Sequence, residues 1–333
     1  MAVRELAAVA DKRQRSRGHF ARAWSRLLRK KIAVVCMVTL VVVYLAGIFA
    51  AWISPYDYQE QDYSQIRESP SIDISGGVGN LWNNSHIAGT DRAGRDIFTR
   101  ILWGIQNTVM LTVVAMLTGA LPIGLTLGLL AGYFGGKIDS LIMRTGEIAA
   151  VFPEFFMVII IASTLGPRIR EWVIWLEDNT FFDGLITSGF VDYIVISLAL
   201  VSFGWIGLAR LLRGQILYLR ESQHIEAARA IGASTKRIMF LHLLPNAMSP
   251  ILVSVTMGMG VFIGTEIFLS WIGLGIQPPR PSLGRMLLEA GNIGTLRNEP
   301  WMLFAPGFVA WILLLSWNLL GDALNDVFNP RTR

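Results

Sequence analysis

Six long apolar stretches, separated by polar segments, constrain most strongly what this chain can fold into. Each stretch reaches the length of about 20 mainly apolar residues that one helix needs to cross a bilayer. With 53% hydrophobic and 16% charged residues, the chain is also too apolar for an ordinary soluble domain. We therefore predict an all-α polytopic membrane protein whose membrane domain, 32–330, has six transmembrane helices at about 32–53, 105–133, 141–165, 192–210, 247–273 and 303–321.

The first 31 residues form a basic leader that ends in an amphipathic segment. Within residues 18–31, one helical face carries the large apolar side chains Phe20, Trp24, Leu27 and Leu28. This pattern predicts an N-terminal amphipathic helix that lies along the membrane and contacts lipid, with a solvated basic tail as the alternative. The apolar run that follows is about 22 residues long, longer than the roughly 7–15 of a signal peptide, so we expect a retained first span.

The distribution of Lys and Arg predicts the orientation in the membrane. The leader carries ten basic residues, and the polar loop 211–246 together with Arg210 carries six. The loop 167–191 has only two, against four acidic residues. Because cytoplasmic loops are enriched in Lys and Arg, both termini and the loop 211–246 are predicted to be cytoplasmic. The loops 54–104, 167–191 and 274–302 are then predicted to lie on the outer side of the membrane.

The loop 211–246 is polar and forms helices readily. Its first helix is predicted to begin at Ser222 as the cap and to end at Gly232, which can adopt the positive φ of a helix terminus. The body of that helix consists of Glu226, Ala227, Ala228, Arg229 and Ala230. A second helix is predicted from Ser234, as its cap, to Pro245, where the missing N–H stops it.

Small residues recur in two of the spans. In the second span they are Gly119, Gly124, Gly128 and Gly132, and in the fifth they are Gly258, Gly260 and Gly264. Such spacings let membrane helices approach closely, so we expect both spans in the packed interior.

Several segments together resemble a known family. Glu226-Ala227-Ala228, followed by Gly232 and Leu244-Pro245, resembles the Glu-Ala-Ala motif in the cytoplasmic loop of permease subunits of binding-protein-dependent ABC importers. Segments similar to the dipeptide, oligopeptide and nickel subfamily lie at 86–100, 132–136, 274–282 and 318–326. The chain looks like the second of the two paired permeases, and the likeness covers roughly residues 20–330. The loop 167–191 looks like an insertion relative to the family.

The resemblance implies a type I ABC importer permease fold in the cytoplasmic (inner) membrane of a prokaryote. It also implies a heterodimer with a second homologous permease, two ATPase subunits and an extracytoplasmic substrate-binding protein. The 226–245 loop is expected to dock into a cleft on an ATPase subunit through Glu226, Ala227, Ala228, Arg229, Gly232, Ala233 and Pro245. The expected solute is a dipeptide or oligopeptide. Nickel chelates or oligosaccharides are alternatives, and an ion-coupled secondary transporter is a more distant one.

Charged residues inside spans are costly, and they are therefore candidates for function. Arg144 and Glu147 lie three residues apart on one helical face, which favours a local ion pair. Glu154 follows Pro153, and it either lines the transport pathway or bonds a backbone donor freed by the proline kink. Glu266 is the deepest acid of the fifth span. It either contacts substrate or, the favoured role, bonds across helices.

No catalytic, cofactor or metal site is expected in this chain. The closest match to a phosphate-binding loop, 132–138, lacks the required spacing, and Ile138 stands where Ser or Thr should ligate magnesium. ATP and magnesium are therefore expected in the partner subunits. The four histidines, at positions 19, 86, 224 and 242, have no metal-ligand spacing. The basic residues cluster at membrane edges, so we expect no nucleic-acid partner.

Overall fold

The computed structural model describes residues 19–71, 86–181, 184–186 and 188–328. Within these ranges the regular structure is helical, apart from one isolated bridge between Thr90 and Asp96. The predicted all-α architecture is therefore confirmed for the described part of the chain. Most of the basic leader, 1–18, and the end of the predicted membrane domain, 329–330, lie outside it.

The helices follow one another along the chain. The first seven are α1 His19–Leu27, α2 Lys31–Ile48, α3 Ala50–Ile53, α4 Ile97–Ala115, α5 Leu121–Phe134, α6 Gly136–Val151 and α7 Glu154–Asn179. The next four are α8 Phe190–Leu219, α9 Gln223–Ala230, α10 Thr235–Arg237 and α11 Leu244–Asn246. The last four are α12 Met248–Trp271, α13 Leu283–Ala290, α14 Ile293–Asn298 and α15 Trp301–Phe328.

Five helical segments of the described chain are long and apolar enough to cross a membrane, and the bent pair α6–α7 makes a sixth if it is counted as one span. The five are α2, the joined α4–α5 segment, α8, α12 and α15. These segments follow the same order along the chain as the predicted spans, and α4 begins at Ile97 where the prediction placed the start near 105. Its start is fixed by Asp96, whose carboxylate accepts a hydrogen bond from the Thr99 N–H at 2.7 Å.

The predicted third span, 141–165, is not one straight helix. It breaks between α6 and α7, whose axes differ by 86°. Pro153 explains the break because it offers no N–H, and it holds the preceding residue, Phe152, in an extended conformation. Beyond the break, α7 continues to Asn179, so it runs past the predicted end of the span at 165 and takes in about half of the predicted loop 167–191.

The glycines of the second span lie against α8. A Cβ atom on Gly119 would come within 2.2 Å of the Val201 side chain, and one on Gly128 within 2.8 Å of the Ala209 carbonyl oxygen. These distances leave no room for a larger residue, so the predicted close packing of this span is confirmed. A π turn, Met116–Ala120, joins α4 to α5 just before Pro122, whose missing N–H disfavours regular helical bonding there.

Helix α1 packs at the end of the bundle where α2 begins and α15 ends, here called the loop end because α9 also lies there. Ala23 and Leu27 of α1 are buried against the bundle, whereas Trp24 and Leu28 are exposed. The single apolar face expected for this segment is therefore divided between the bundle and the surroundings. The Lys30 ammonium pairs with the Asp326 carboxylate at 2.8 Å and ties the α1–α2 corner to α15.

The opposite end, here called the cap end, is closed by residues 86–100 and α13. The Asp91 carboxylate accepts from the Arg95 Nε at 2.7 Å and pairs with Arg100. Glu289 of α13 lies 3.1 Å from the Arg100 guanidinium and completes a largely buried network. Nearby, the His86 Nδ1 lies 2.9 Å from the Asp96 carboxylate, so this segment is held by polar groups on several sides.

Candidate coupling site and membrane cavities

The predicted two-helix corner is present at the loop end. Helix α9 ends at Ala230, and Gly232 has a φ of +82°. The Gly232 N–H donates to the Arg229 carbonyl, and the Ala233 N–H donates to the Ala228 carbonyl, both at 3.0 Å. These bonds satisfy the last carbonyls of the helix and turn the chain sharply.

The ends of the two helices differ in part from the sequence prediction. The Ser222 side chain does not cap α9, because its hydroxyl donates to the Leu219 carbonyl at 2.5 Å. Ser234 caps α10 as predicted, accepting from the Arg237 N–H at 3.4 Å. Pro245 does not end the second helix. A π turn, Ile238–Leu243, precedes the proline, so that the helical path continues through Pro245 to Asn246.

The two faces of α9 have different environments. Ile225 is buried in a cluster with residues of α5, α8 and the π turn, and Ala228 is buried as well. Glu226 and Ala227 are exposed, and Ile231 is 87% exposed. The corner therefore has an inner face that is part of the core and an outer face that is open to a partner.

Three arginines contact the α5–α6 turn, one from α9 and two from α8 and its end. The Arg229 guanidinium lies 5.6 Å from the centroid of the Tyr133 ring, a cation–π distance. Arg220 donates to the Gly132 carbonyl at 3.1 Å. Arg213 of α8 makes a two-pronged pair with Asp139 in the first turn of α6, with one N–O distance of 2.6 Å.

These connections were not predicted from the sequence. Arg213 and Asp139 are 74 residues apart, and no local pattern joins them. The ion pair expected between Arg144 and Glu147 is not formed among the described residues. Both side chains are exposed on α6, where each is free to extend into the surroundings, and the charged contact of this helix is made by Asp139 instead.

Glu154 lies at the start of α7, beside the break. It lines a cavity of about 200 Å³ between α7, α8, α12 and the first π turn, and it is the one charged residue among those that line it. Glycines at 204, 207 and 258 form part of the wall and leave backbone accessible. The cavity thus offers a single carboxylate within an otherwise mainly apolar space.

Glu266 of α12 is completely buried. Its carboxylate accepts from the Thr108 hydroxyl of α4 at 2.7 Å and from the Ser270 hydroxyl at 2.8 Å, with Ser282 at 3.4 Å. These bonds join α4, α12 and the segment before α13. Of the two roles left open for Glu266, the geometry therefore matches a bond across helices.

A second cavity, of about 300 Å³, lies beside the middle of α7, at Ala162–Arg170. In its wall, Arg170 lies 3.5 Å from the carboxylate of Asp192, which also accepts from the Gln277 N–H at 2.9 Å. The pair ties α7 to α8 and to the loop after α12. Asp192 was not singled out in the sequence because it lies at the predicted edge of a span, where charges are common.

Two family comparisons account for most of the chain. Residues 124–333 match the family described as binding-protein-dependent transport system inner membrane component, and residues 19–70 match the N-terminal transmembrane domain of oligopeptide transport permease C. The chain belongs to this family of inner-membrane transport components. The family membership expected from the Glu-Ala-Ala motif and its neighbouring segments is thereby confirmed.

Individual relatives match this chain over almost its whole length. The dipeptide transport system permease protein DppC of Alkalihalophilus pseudofirmus is 34% identical over 93% of this chain and 90% of its own length. The oligopeptide transport system permease protein OppC of Bacillus subtilis is 33% identical over 93% and 89%, respectively. The glutathione transport system permease protein GsiD of Pectobacterium atrosepticum is 33% identical over 93% and 90%.

Proposed function

We propose that this chain is one permease of an ATP-driven ABC importer that carries dipeptides or oligopeptides across the cytoplasmic membrane. A second, homologous permease forms the other half of the pathway, two ATPase subunits hydrolyse ATP, and a binding protein delivers the solute. The substrate class is supported by the relatives, whose names specify dipeptide, oligopeptide or glutathione transport. Glutathione is itself a small peptide, so the three names describe one chemical class.

The observation that carries this proposal is the corner formed by α9 and Gly232. Its exposed residues, Glu226 and Ala227, present a shallow surface, and its buried residues anchor it in the core. A corner of this shape suits insertion into a cleft of a partner protein, and the chain's membership in the family makes an ATPase subunit the expected partner.

The arginine contacts offer a route by which movement of α9 reaches the pathway. When the ATPases close, α9 moves with them, and Arg229 carries that movement to Tyr133 at the end of α5, where Arg220, at the end of α8, also bonds. Arg213 and Asp139 then pass it to α6. Because α6 ends at the break before Glu154, a rotation of α6 changes the access of the cavity beside it.

Within this mechanism the two span carboxylates have separate roles. Glu154 faces a cavity, where it complements the N-terminal ammonium group of a peptide. Glu266 holds α4 and α12 together and does not meet the solute. The orientation follows the basic residues, so the loop end and both termini face the cytoplasm.

The proposal is tested with the purified complex in proteoliposomes that contain ATP and no ion gradient. Glu226→Lys reverses a charge on the exposed face of α9 and leaves helix propensity almost unchanged. We expect this variant to insert and assemble its permease pair normally, but to lose ATPase binding or binding-protein-stimulated hydrolysis and uptake. The readouts are ATPase retention on purification, hydrolysis rate and peptide uptake.

Lys236→Ala is the matched control, because Lys236 is also exposed in this loop but lies beyond the corner. It should retain hydrolysis and uptake close to the wild-type values. Unchanged stimulation and uptake in Glu226→Lys would contradict coupling through α9. Uptake that requires an ion gradient and proceeds without ATP would instead indicate a secondary transporter.

A further inference from the structure

A groove at the loop end has no part in the proposed transport route. It has a volume of about 260 Å³ and lies where α1 meets the bundle. Four helices enclose it, namely α1, α2, α12 and α15. Its wall is formed mainly by the apolar side chains Trp24, Leu27, Met37, Leu252, Leu324 and Val327.

The chemistry of the wall selects an apolar occupant. Thr256 carries the one hydroxyl group among the lining residues, and this hydroxyl already donates to the Leu252 carbonyl at 2.8 Å. A peptide segment placed here would therefore lose hydrogen bonds to water without replacement, at a cost of about 1–3 kcal/mol per group in proteins. A hydrocarbon chain makes no such bonds and loses none.

The helical turns around the groove carry excess positive charge. Their described charged residues are Arg26, Arg29, Lys30, Lys31, Asp322 and Asp326, four basic against two acidic. Lys30 is paired with Asp326, whereas Arg26 and Arg29 are exposed and make no ion pair with a described residue. Trp24, at 56% exposure, lies at the rim, where an amphipathic ring suits the boundary between hydrocarbon and headgroups.

We propose that this groove binds an anionic glycerophospholipid, with one acyl chain between α1 and α15 and the phosphate at Arg26 and Arg29. The groove supplies an apolar channel, and the two exposed guanidinium groups supply the charge that a phosphate needs. Basic pockets between membrane helices bind acidic lipid headgroups in this way. The amphipathic helix thereby serves as one wall of a lipid site in addition to lying on the membrane.

The test measures tryptophan fluorescence of the purified transporter complex in detergent during titration with phosphatidylglycerol that carries bromine on its acyl chains, which quenches nearby indoles. The chain has 11 tryptophans, so Trp24→Phe is titrated in parallel to isolate the signal of the groove. We expect saturable quenching, of which the Trp24 component is lost in Trp24→Phe. Brominated phosphatidylcholine should reproduce this component only at much higher concentration.

Removing the charges of Arg26 and Arg29 should weaken lipid binding while leaving the fold intact, because both arginines are exposed. The double variant Arg26→Gln/Arg29→Gln is expected to bind phosphatidylglycerol about 30-fold more weakly, which corresponds to about 1 kcal/mol per basic residue at 1.4 kcal/mol per tenfold. The matched control is Lys137→Gln/Arg144→Gln, which removes two exposed positive charges from α6 and should bind as the wild type does.

Four results would contradict the proposed lipid site. Equal binding of the two lipids, unaffected by the double variant, would indicate only nonselective contact with surrounding lipid. Quenching that is unchanged in Trp24→Phe would place the acyl chain elsewhere. Quenching in the isolated chain but not in the complex would show that another subunit covers the groove. Full competition by inorganic phosphate would show that the acyl chain contributes nothing. Since no ATP or peptide is present, these outcomes are independent of the transport proposal.

Discussion

The two ends of the helical bundle are held by different kinds of interaction. At the cap end, Arg100 is buried between Asp91 and Glu289. At the loop end, α9 buries Ile225 but its outer face is exposed, and its charged contact is Arg229 over the Tyr133 ring. Breaking a buried ion pair leaves an uncompensated charge and is costly, whereas exposed contacts are exchanged with water at little cost. The loop end is therefore the end suited to move when a partner binds.

The largest effect is expected at the cap end. Arg100→Met removes one of the two arginines that pair with both Asp91 and Glu289, and it leaves only the more exposed Arg95. Loss of one partner of a buried pair costs about 3–5 kcal/mol, so we expect a clear fall in the thermal midpoint and poor assembly. Differential scanning fluorimetry of the purified complex measures the fall.

Arg297→Met is the control for this variant, because Arg297 is exposed on α14 and makes no ion pair with a described residue. It should shift the midpoint very little. If Arg100→Met matched this control, the cap end would be no more firmly held than the loop end, and the contrast between the two ends would fail.

A large effect on coupling, but not on assembly, is expected at Gly232. A Cβ atom there would have nothing within 4 Å, so Gly232→Val acts through its positive φ and not through a clash. A β-branched residue at this φ is strained by roughly 1–3 kcal/mol, which favours another shape of the corner. We expect stimulated ATP hydrolysis and uptake to fall at least several-fold.

Gly232→Asn sharpens this test, because asparagine tolerates a positive φ much better than valine does. It adds a side chain of comparable bulk and should retain most of the stimulation. Equal loss in both variants would mean that bulk at the docking surface, and not the turn, is what the partner detects.

An intermediate effect is expected at the contact between α6 and α8. Arg213→Asp places two acidic groups together and should lower uptake while the ATPase subunits stay bound, because the contact lies behind the docking face. The double variant Arg213→Asp/Asp139→Arg restores opposite charges and should recover a substantial part of the uptake. A double variant as defective as the single one would argue against this contact as a transmission element.

The smallest effect is expected at Glu266. In Glu266→Gln the remaining carbonyl oxygen still accepts from Thr108 or Ser270, and hydrogen bonds across membrane helices are worth only about 0.6–1.7 kcal/mol. Assembly and most of the uptake should therefore persist. Glu266→Leu, which removes every acceptor, should be less stable. Normal assembly with complete loss of uptake in Glu266→Gln would assign Glu266 to the solute instead.

The loop end was largely predictable because its features are local. Gly232 ends a helix through its own φ, and Ser234 caps a helix that begins at the next residue. The errors there have local causes too. Ser222 bonds backward to Leu219 instead of forward to α9, and a π turn lets the helix pass Pro245. The Ser222 hydroxyl can donate to a carbonyl of the preceding turn or accept from an N–H of the next helix, so residue preference alone does not decide between the two.

The sequence by itself determined the apolar spans, the polar helical corner and the family, because hydrophobic length and short motifs depend on neighbouring residues. Only the tertiary structure decided that Asp139 meets Arg213, that Glu289 meets Arg100 and that Thr108 meets Glu266. These partners lie 74 to 189 residues apart. Their pairing depends on how the helices pack. In the second span, that packing is set by glycines that lie directly against α8.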